Sequence, residues 1–202
     1  MKLLLTITTF FVSCLSLAEE VERNNWYAGL GIGNAFYTDD SSERSSVSKD
    51  VFAGFKPNRY ISIELQYTNW GKYDNDNSVL DHVEIESVGV TTYGILPIDN
   101  TGVELTLGLG IHNTIYSEKF NVEGKTINTT SNDPFSLFGT VGINYTYVNT
   151  PNITYSFKLK THQLSFHYEL NDGPLSENDG VTGLDSFGRT INSINFSAQY
   201  NF

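Results

Sequence analysis

Glu64, Glu104, His112, Lys158, Lys160 and His167 lie in stretches where apolar residues alternate with small or polar ones, and each falls on the non-apolar side of its stretch. Acids, lysines and histidines brought onto one enclosed face form a charge-compensated structural network or a gate that controls conductance, because a buried carboxylate without a partner is costly. Glu64 is then an acid that needs a partner, with Lys158, Lys160, His112 and His167 as candidates and Glu104 as a second interior acid. Other chemistry finds less support. Asp74, Asp76 and Ser78 resemble the start of a calcium loop, but Val79 stands where that loop needs glycine and Ile85 where it needs glutamate. Gly29-x-Gly31-x-Gly33 lacks the third glycine of a dinucleotide fingerprint, Asn34 standing in its place, and no helix follows. No metal, cofactor or catalytic residue is expected.

The elements that must position these side chains have a period of two. Trp26, Ala28, Leu30 and Ile32 alternate with Tyr27 and three glycines, and Ile61, Ile63, Leu65 and Tyr67 alternate with Ser62, Glu64, Gln66 and Thr68. The same pattern runs from Val103 to His112 and from Ile194 to Phe202, with weaker segments over Val51 to Lys56, Val88 to Leu96, Phe135 to Tyr147 and Ile153 to Leu170. That makes eight strands. Between Ile153 and Leu170 the apolar residues move from odd to even positions near Thr161 to Gln163, which predicts a long strand with a bulge, or else a membrane strand that begins near His162. The spacers alternate between short ones (Pro57 to Arg59, Pro97 to Thr101, Asn149 to Asn152) and long polar ones (Tyr37 to Ser48, Gly71 to Asp81, Ser117 to Asp133, Asn171 to Arg189). In an up-and-down sheet this puts every short turn on one rim and every long loop on the other, the pattern of an eight-stranded antiparallel transmembrane β-barrel.

Composition narrows the class. The chain has 202 residues, 13% aromatic, with one cysteine, 12 basic and 23 acidic residues and a net charge of -11. One cysteine excludes a disulfide scaffold, and the negative balance argues against nucleic acid, which needs a basic footprint. Lys2, the apolar run Leu3 to Val12 and the small residues Ser16 and Ala18 read as an export signal over residues 1-18, leaving the barrel as residues 19-202. Lipidation at Cys14 is the alternative for this segment. The non-apolar faces carry glycine and uncharged polar residues rather than the lysine and glutamate that coat a water-facing wall, so the apolar face is expected to meet lipid. Trp26, Tyr60, Trp70, Tyr147, Tyr200 and Phe202 lie near strand ends and are expected in aromatic girdles, with sugar binding a minor reading for Trp70.

The chain resembles the OmpA-type transmembrane domain and the wider group of small eight-stranded outer-membrane barrels. The resembling residues are Asn25-Trp26-Tyr27-Ala28-Gly29, Phe52-Ala53-Gly54-Phe55 with the Pro57-Asn58 turn and the strand Tyr60 to Tyr67, Phe166-His167-Tyr168, and the closing segment Phe196 to Phe202. The resemblance implies that Phe196, Tyr200 and Phe202 form the signal read by the outer-membrane assembly machinery. It also implies that Glu64 is the lumenal glutamate of the third strand, paired with basic residues of other strands. On the seventh strand, where the family has a basic residue, this alignment puts Ser165 or His167. The chain stops at the last strand, so the resemblance carries no expectation of anchoring to peptidoglycan.

The functional expectation is a non-enzymatic, monomeric protein of a Gram-negative outer membrane, contacting lipopolysaccharide with its wall and host or phage ligands with four acidic loops. An interior network of Glu64, Glu104, His112, Lys158 and His167 is expected to be structural, with a small gated channel as the alternative. A lipid A-modifying enzyme is a further alternative, but His167-Tyr168-Glu169 has glutamate where the His-x-Ser group of such enzymes places its nucleophile. A water-soluble, ligand-carrying barrel is the last.

Overall fold

Alternation with period two builds strands whose side chains take opposite faces in turn, and in this chain it builds nothing else among the described residues. The computed structural model describes residues 25–39, 42–74, 80–99, 101–122, 125–165 and 188–202. Eight strands, β1 (Trp26–Asp39), β2 (Ser42–Asn58), β3 (Ile61–Asp74), β4 (Leu80–Ile98), β5 (Val103–Val122), β6 (Lys125–Thr146), β7 (Ile153–Ser165) and β8 (Gly188–Asn201), pair in sequence order, and β8 returns to β1 to close a barrel. Every neighbouring pair is antiparallel. Following the pairing round the barrel from Ala28 through Ala53, Leu65, Val90, Ile111, Leu137, Gln163 and Thr190 leads back to β1 at Thr38, a stagger of ten residues. With ~3.3 Å rise and ~4.8 Å between strands, that stagger tilts the strands by about 41°. Each residue then climbs about 2.5 Å along the barrel axis.

Outward residues form an apolar belt. Leu107 and Leu109 are 63% and 70% exposed, and Leu30, Ile32, Val51, Leu65, Val90, Val141, Leu159 and Phe196 are exposed around them. Trp26, Tyr60, Tyr145, Tyr147, Tyr155, Tyr200 and Phe202 ring the rim that carries the short turns. On the opposite side the belt ends at Asn34, Lys49, Asn69, Asn113, Thr161 and Asn192, all outward. On β5 the apolar run from Val103 to Ile111 covers about 20 Å, close to the ~25 Å band of such barrels.

Three expectations need correction. Most of the long polar spacers are strand: β1 and β2 run to Asp39 and from Ser42, and β5 and β6 run to Val122 and from Lys125, so these connections are hairpins rather than loops. They remain strand because Tyr37, Tyr73, Val83, Ile85 and Tyr116 keep burying alternate positions above the belt. Strand β7 has no bulge as far as Ser165: its register to β6 and β8 is unbroken, and Thr154, Ser156, Lys158, Lys160 and His162 all point inward. Trp70 does not join a girdle, because it is fully buried inside the barrel. It shares even parity with Glu64, Gln66 and Thr68, and the register to β4 shifts at Trp70 itself, between Asn69 and Gly71, where Gly71 takes φ of 96°. That backbone suits glycine, and it turns Tyr73 inward at an odd position.

Candidate functional site

The lumen holds the polar chemistry of the molecule in layers stacked along its axis. At the rim with the short turns, Lys56 Nζ lies 3.5 Å from Glu104 Oε2, and Asn144 Nδ2 donates to the same oxygen at 3.2 Å. Both charged side chains are a quarter exposed, so the pair is screened.

One layer in, Glu64 is enclosed. Its carboxylate accepts hydrogen bonds from the Tyr93 hydroxyl at 3.0 Å and the Tyr27 hydroxyl at 3.2 Å, and Lys158 Nζ stands 3.6 Å away. The Lys158 ammonium also lies 4.7 Å from the Tyr93 ring centre and 5.0 Å from that of Phe52, so aromatic faces share its solvation. Two residues along the same face of β7, Lys160 Nζ meets Asp50 Oδ2 at 2.5 Å. Asn195 donates to that oxygen at 2.7 Å, while Thr68 and Gln66 donate to Asp50 Oδ1 at 2.8 and 3.2 Å. Asp50 is thus satisfied from three other strands, a geometry in which a buried ion pair can offset its desolvation.

Above the ion pairs the lumen becomes aromatic. His112 stacks on Phe138 with ring centres 4.4 Å apart and has the hydroxyls of Ser87 and Thr91 at its two nitrogens, 3.4 and 3.2 Å away. Its ring lies against Gly89, where an added Cβ would meet it at 2.3 Å. His162 crosses His112 and Trp70 edge-on with centres 5.4 and 5.3 Å apart, and Trp70 Nε1 donates to Ser87 at 2.9 Å. A plug of Ala35, Tyr37, Tyr73, Val83, Ile85, Tyr116 and Ile191 completes the outer half.

Of the residues singled out from sequence, Glu64 and Lys158 meet. Glu104 lies at the rim with Lys56, His112 belongs to the aromatic layer, and His167 lies outside the described residues. The basic residues of the seventh strand that reach the lumenal acids are Lys158 and Lys160, at positions before Ser165 and His167. Asp50, Lys56, Tyr27, Tyr93, Asn195 and His162 complete the layers, and the sequence reading missed them. Asp50 has a signal, its even parity with Phe52 and Gly54, but stands one residue outside the expected strand.

A closed, staggered barrel with an apolar outer wall and a filled polar lumen defines the class of small transmembrane β-barrels. The OmpA-like transmembrane domain matches residues 21–163, more than half of the chain, and the chain belongs to that family. No curated protein matches it. Among solved structures it is similar to Neisserial surface protein A, at 15% identity and a TM-score of 0.58 over 88% of this chain and 97% of that one. It is also similar to Ail, the attachment invasion locus protein of Yersinia pestis, at 13% identity and 0.53 over 89% and 99%. OprG from Pseudomonas aeruginosa matches at 11% identity and 0.50 over 89% and 97%. At these identities the likeness is one of fold.

Proposed function

We propose that the protein is a non-enzymatic outer-membrane barrel, exported with residues 1-18 removed, that works at the cell surface through hairpins held above the membrane by a solid lumen. The observation that carries this reading is the lumen itself: paired charges occupy its inner half and an aromatic plug its outer half. Strands β4, β5 and β6 meanwhile continue as paired sheet beyond the belt, β5 for about 20 Å past Asn113. Such a wall presents a stiff surface at little entropic cost on binding.

Phe196, Tyr200 and Phe202 face outward at the closing end of β8, where assembly machinery would engage them, and the belt would contact lipid and lipopolysaccharide. Ail has been crystallised with the heparin analogue sucrose octasulfate. Here the net charge of -11 and the outward Glu84 and Glu86 favour a neutral or basic partner instead.

Replacing residues 117–131 with a tight turn should leave a heat-modifiable barrel that no longer supports adhesion of expressing cells. Unchanged adhesion, or steady ionic conductance by the intact protein in planar bilayers, would contradict the reading. One observation favours a second reading, a gated channel: Lys158 stands 3.6 Å from Glu64 and two residues from the Lys160–Asp50 pair, so the lysines could exchange acids. Conductance that changes on Glu64→Ala would support it.

A further inference from the structure

A hydrogen-bonded chain in the outer lumen ends on a base whose second nitrogen has no partner. Ser136 Oγ donates to Asp133 Oδ2 at 3.0 Å, Ser136 and Thr114 hydroxyls are 2.9 Å apart, and Thr114 Oγ1 is 3.0 Å from His162 Nε2. A carboxylate only accepts, so the direction of the whole chain is set by Asp133. Ser136 donates to it, Thr114 donates to Ser136, and His162 donates to Thr114 from Nε2. The neutral ring therefore carries its proton on Nε2 and keeps its lone pair on Nδ1. That atom is buried in a fully buried residue and has no hydrogen-bond partner.

A basic lone pair without a donor can take a proton, and the carboxylate at the far end of the chain stabilises the charge that the proton brings. The surrounding groups determine how well the lumen tolerates that charge. From β5, His112 stands with its ring centre 5.4 Å away. Lys160 lies two residues earlier on β7 and is bound to Asp50 of β2. Tyr37, Tyr73 and Tyr116 close the space above, β3 contributes Trp70, and β4 contributes only the hydroxyls of Ser87 and Thr91. At the level of His162, β8 presents Ser193 and Ile191, so no described titratable group of that strand faces it. A charge on His162 is thus balanced only through the relay to Asp133, and it lands among aromatic rings beside a second histidine.

We propose that Nδ1 of His162 is a proton-binding site through which acidity on the long-hairpin side of the barrel loosens the packing of the outer lumen. The proton enters from solvent onto Nδ1, no other bond changes, and the Nε2 to Asp133 chain keeps its direction while its hydrogen bond from the ring becomes charge-assisted. The site belongs to the fold alone and is independent of what the surface binds.

The sequence has two tryptophans, so Trp26→Phe leaves Trp70, in edge contact with His162, as a single reporter. In refolded Trp26→Phe protein, Trp70 emission should fall and its quenching by acrylamide should rise as pH drops from about 7.5 to about 3, because burial and the neighbouring His112 hold the His162 ring below the ordinary histidine range. Adding His162→Gln should flatten both profiles. Adding Asp133→Asn should lower the midpoint by about half a pH unit or more, since the distant carboxylate is removed. If His162→Gln does not fold, nitrogen NMR of the histidines in the unmutated barrel reads Nδ1 directly and should show it gaining a proton over the same range. Emission that ignores pH, a response that survives His162→Gln but vanishes with His112→Gln, or a midpoint unmoved by Asp133→Asn would overturn the proposal.

Discussion

Below the ring of Asn34, Lys49, Asn69, Asn113, Thr161 and Asn192 the barrel is oily outside and polar inside; above it the interior turns apolar, while the outer wall mixes polar residues with the exposed Val47 and Ile115. In the lower part Leu30, Leu65, Leu107 and Phe196 face out, while Glu64, Lys158, Asp50 and Lys160 face in. Higher up, Lys72, Glu84 and Ser117 face out, while Tyr37, Trp70, Tyr73, Ile85, Tyr116 and Ile191 face in. One continuous set of strands thus carries a membrane barrel and, stacked on it, the beginning of a water-soluble one. The backbone pattern is shared, and only the medium outside differs. Where lipid covers the wall, apolar residues gain nothing by burial and the lumen is specified by hydrogen bonds and charge. Where water covers it, the hydrophobic effect again favours apolar residues inside.

Substitutions that remove one member of each interior should separate the halves. Lys160→Ala leaves Asp50 in a closed lumen without its cation and should cost about 3–5 kcal/mol. Trp70→Ala, which instead opens a void in the plug, should cost a similar ~3–5 kcal/mol. Chemical unfolding in micelles reads both. The distinguishing variant is Asp50→Leu with Lys160→Met, which should recover most of the first loss because the pair is replaced as a unit. No rescue would mean that Asp50 is held mainly by Asn195, Thr68 and Gln66.

On the outer wall the same comparison predicts depth dependence. Leu107→Arg in the belt should destabilise by about 2–4 kcal/mol, whereas Asn192→Arg above it should cost about 0–1 kcal/mol. Equal costs would place the lipid boundary elsewhere. The smallest effect belongs to the rim: Lys56→Ala removes a partly exposed partner of Glu104 and should change stability by less than about 1 kcal/mol.

The lower part is legible in the sequence because both faces are distinctive there: leucine and isoleucine at alternate positions, glycine and small polar residues between them. The number of strands, their order and the inward direction of Glu64 follow from that alternation. The upper part is not. Its outward residues include the serine, threonine and asparagine of ordinary loops, and its inward tyrosines are too widely spaced to announce a strand beside them. Tyr37 does continue the parity of Tyr27 and Gly33 on β1, so the reversal could be found by carrying the alternation through a change of composition. Across Gly71 even that fails, because the shift in register exchanges the faces. Partner choice in the lumen is equally hidden. Lys158 and Lys160 share a face, and only the stagger of the barrel assigns one to Glu64 and the other to Asp50.

The reversal is tested most directly by nitroxide labels at Leu107, Thr106 and Ser117, three positions of β5 whose side chains alternate without interruption. In bilayers the label at Leu107 should respond to oxygen and not to a water-soluble nickel chelate, that at Ser117 should respond to the chelate, and that at Thr106 should be shielded from both. A label at Thr106 that meets oxygen more than the one at Leu107, or one at Ser117 that lies in lipid, would contradict the account.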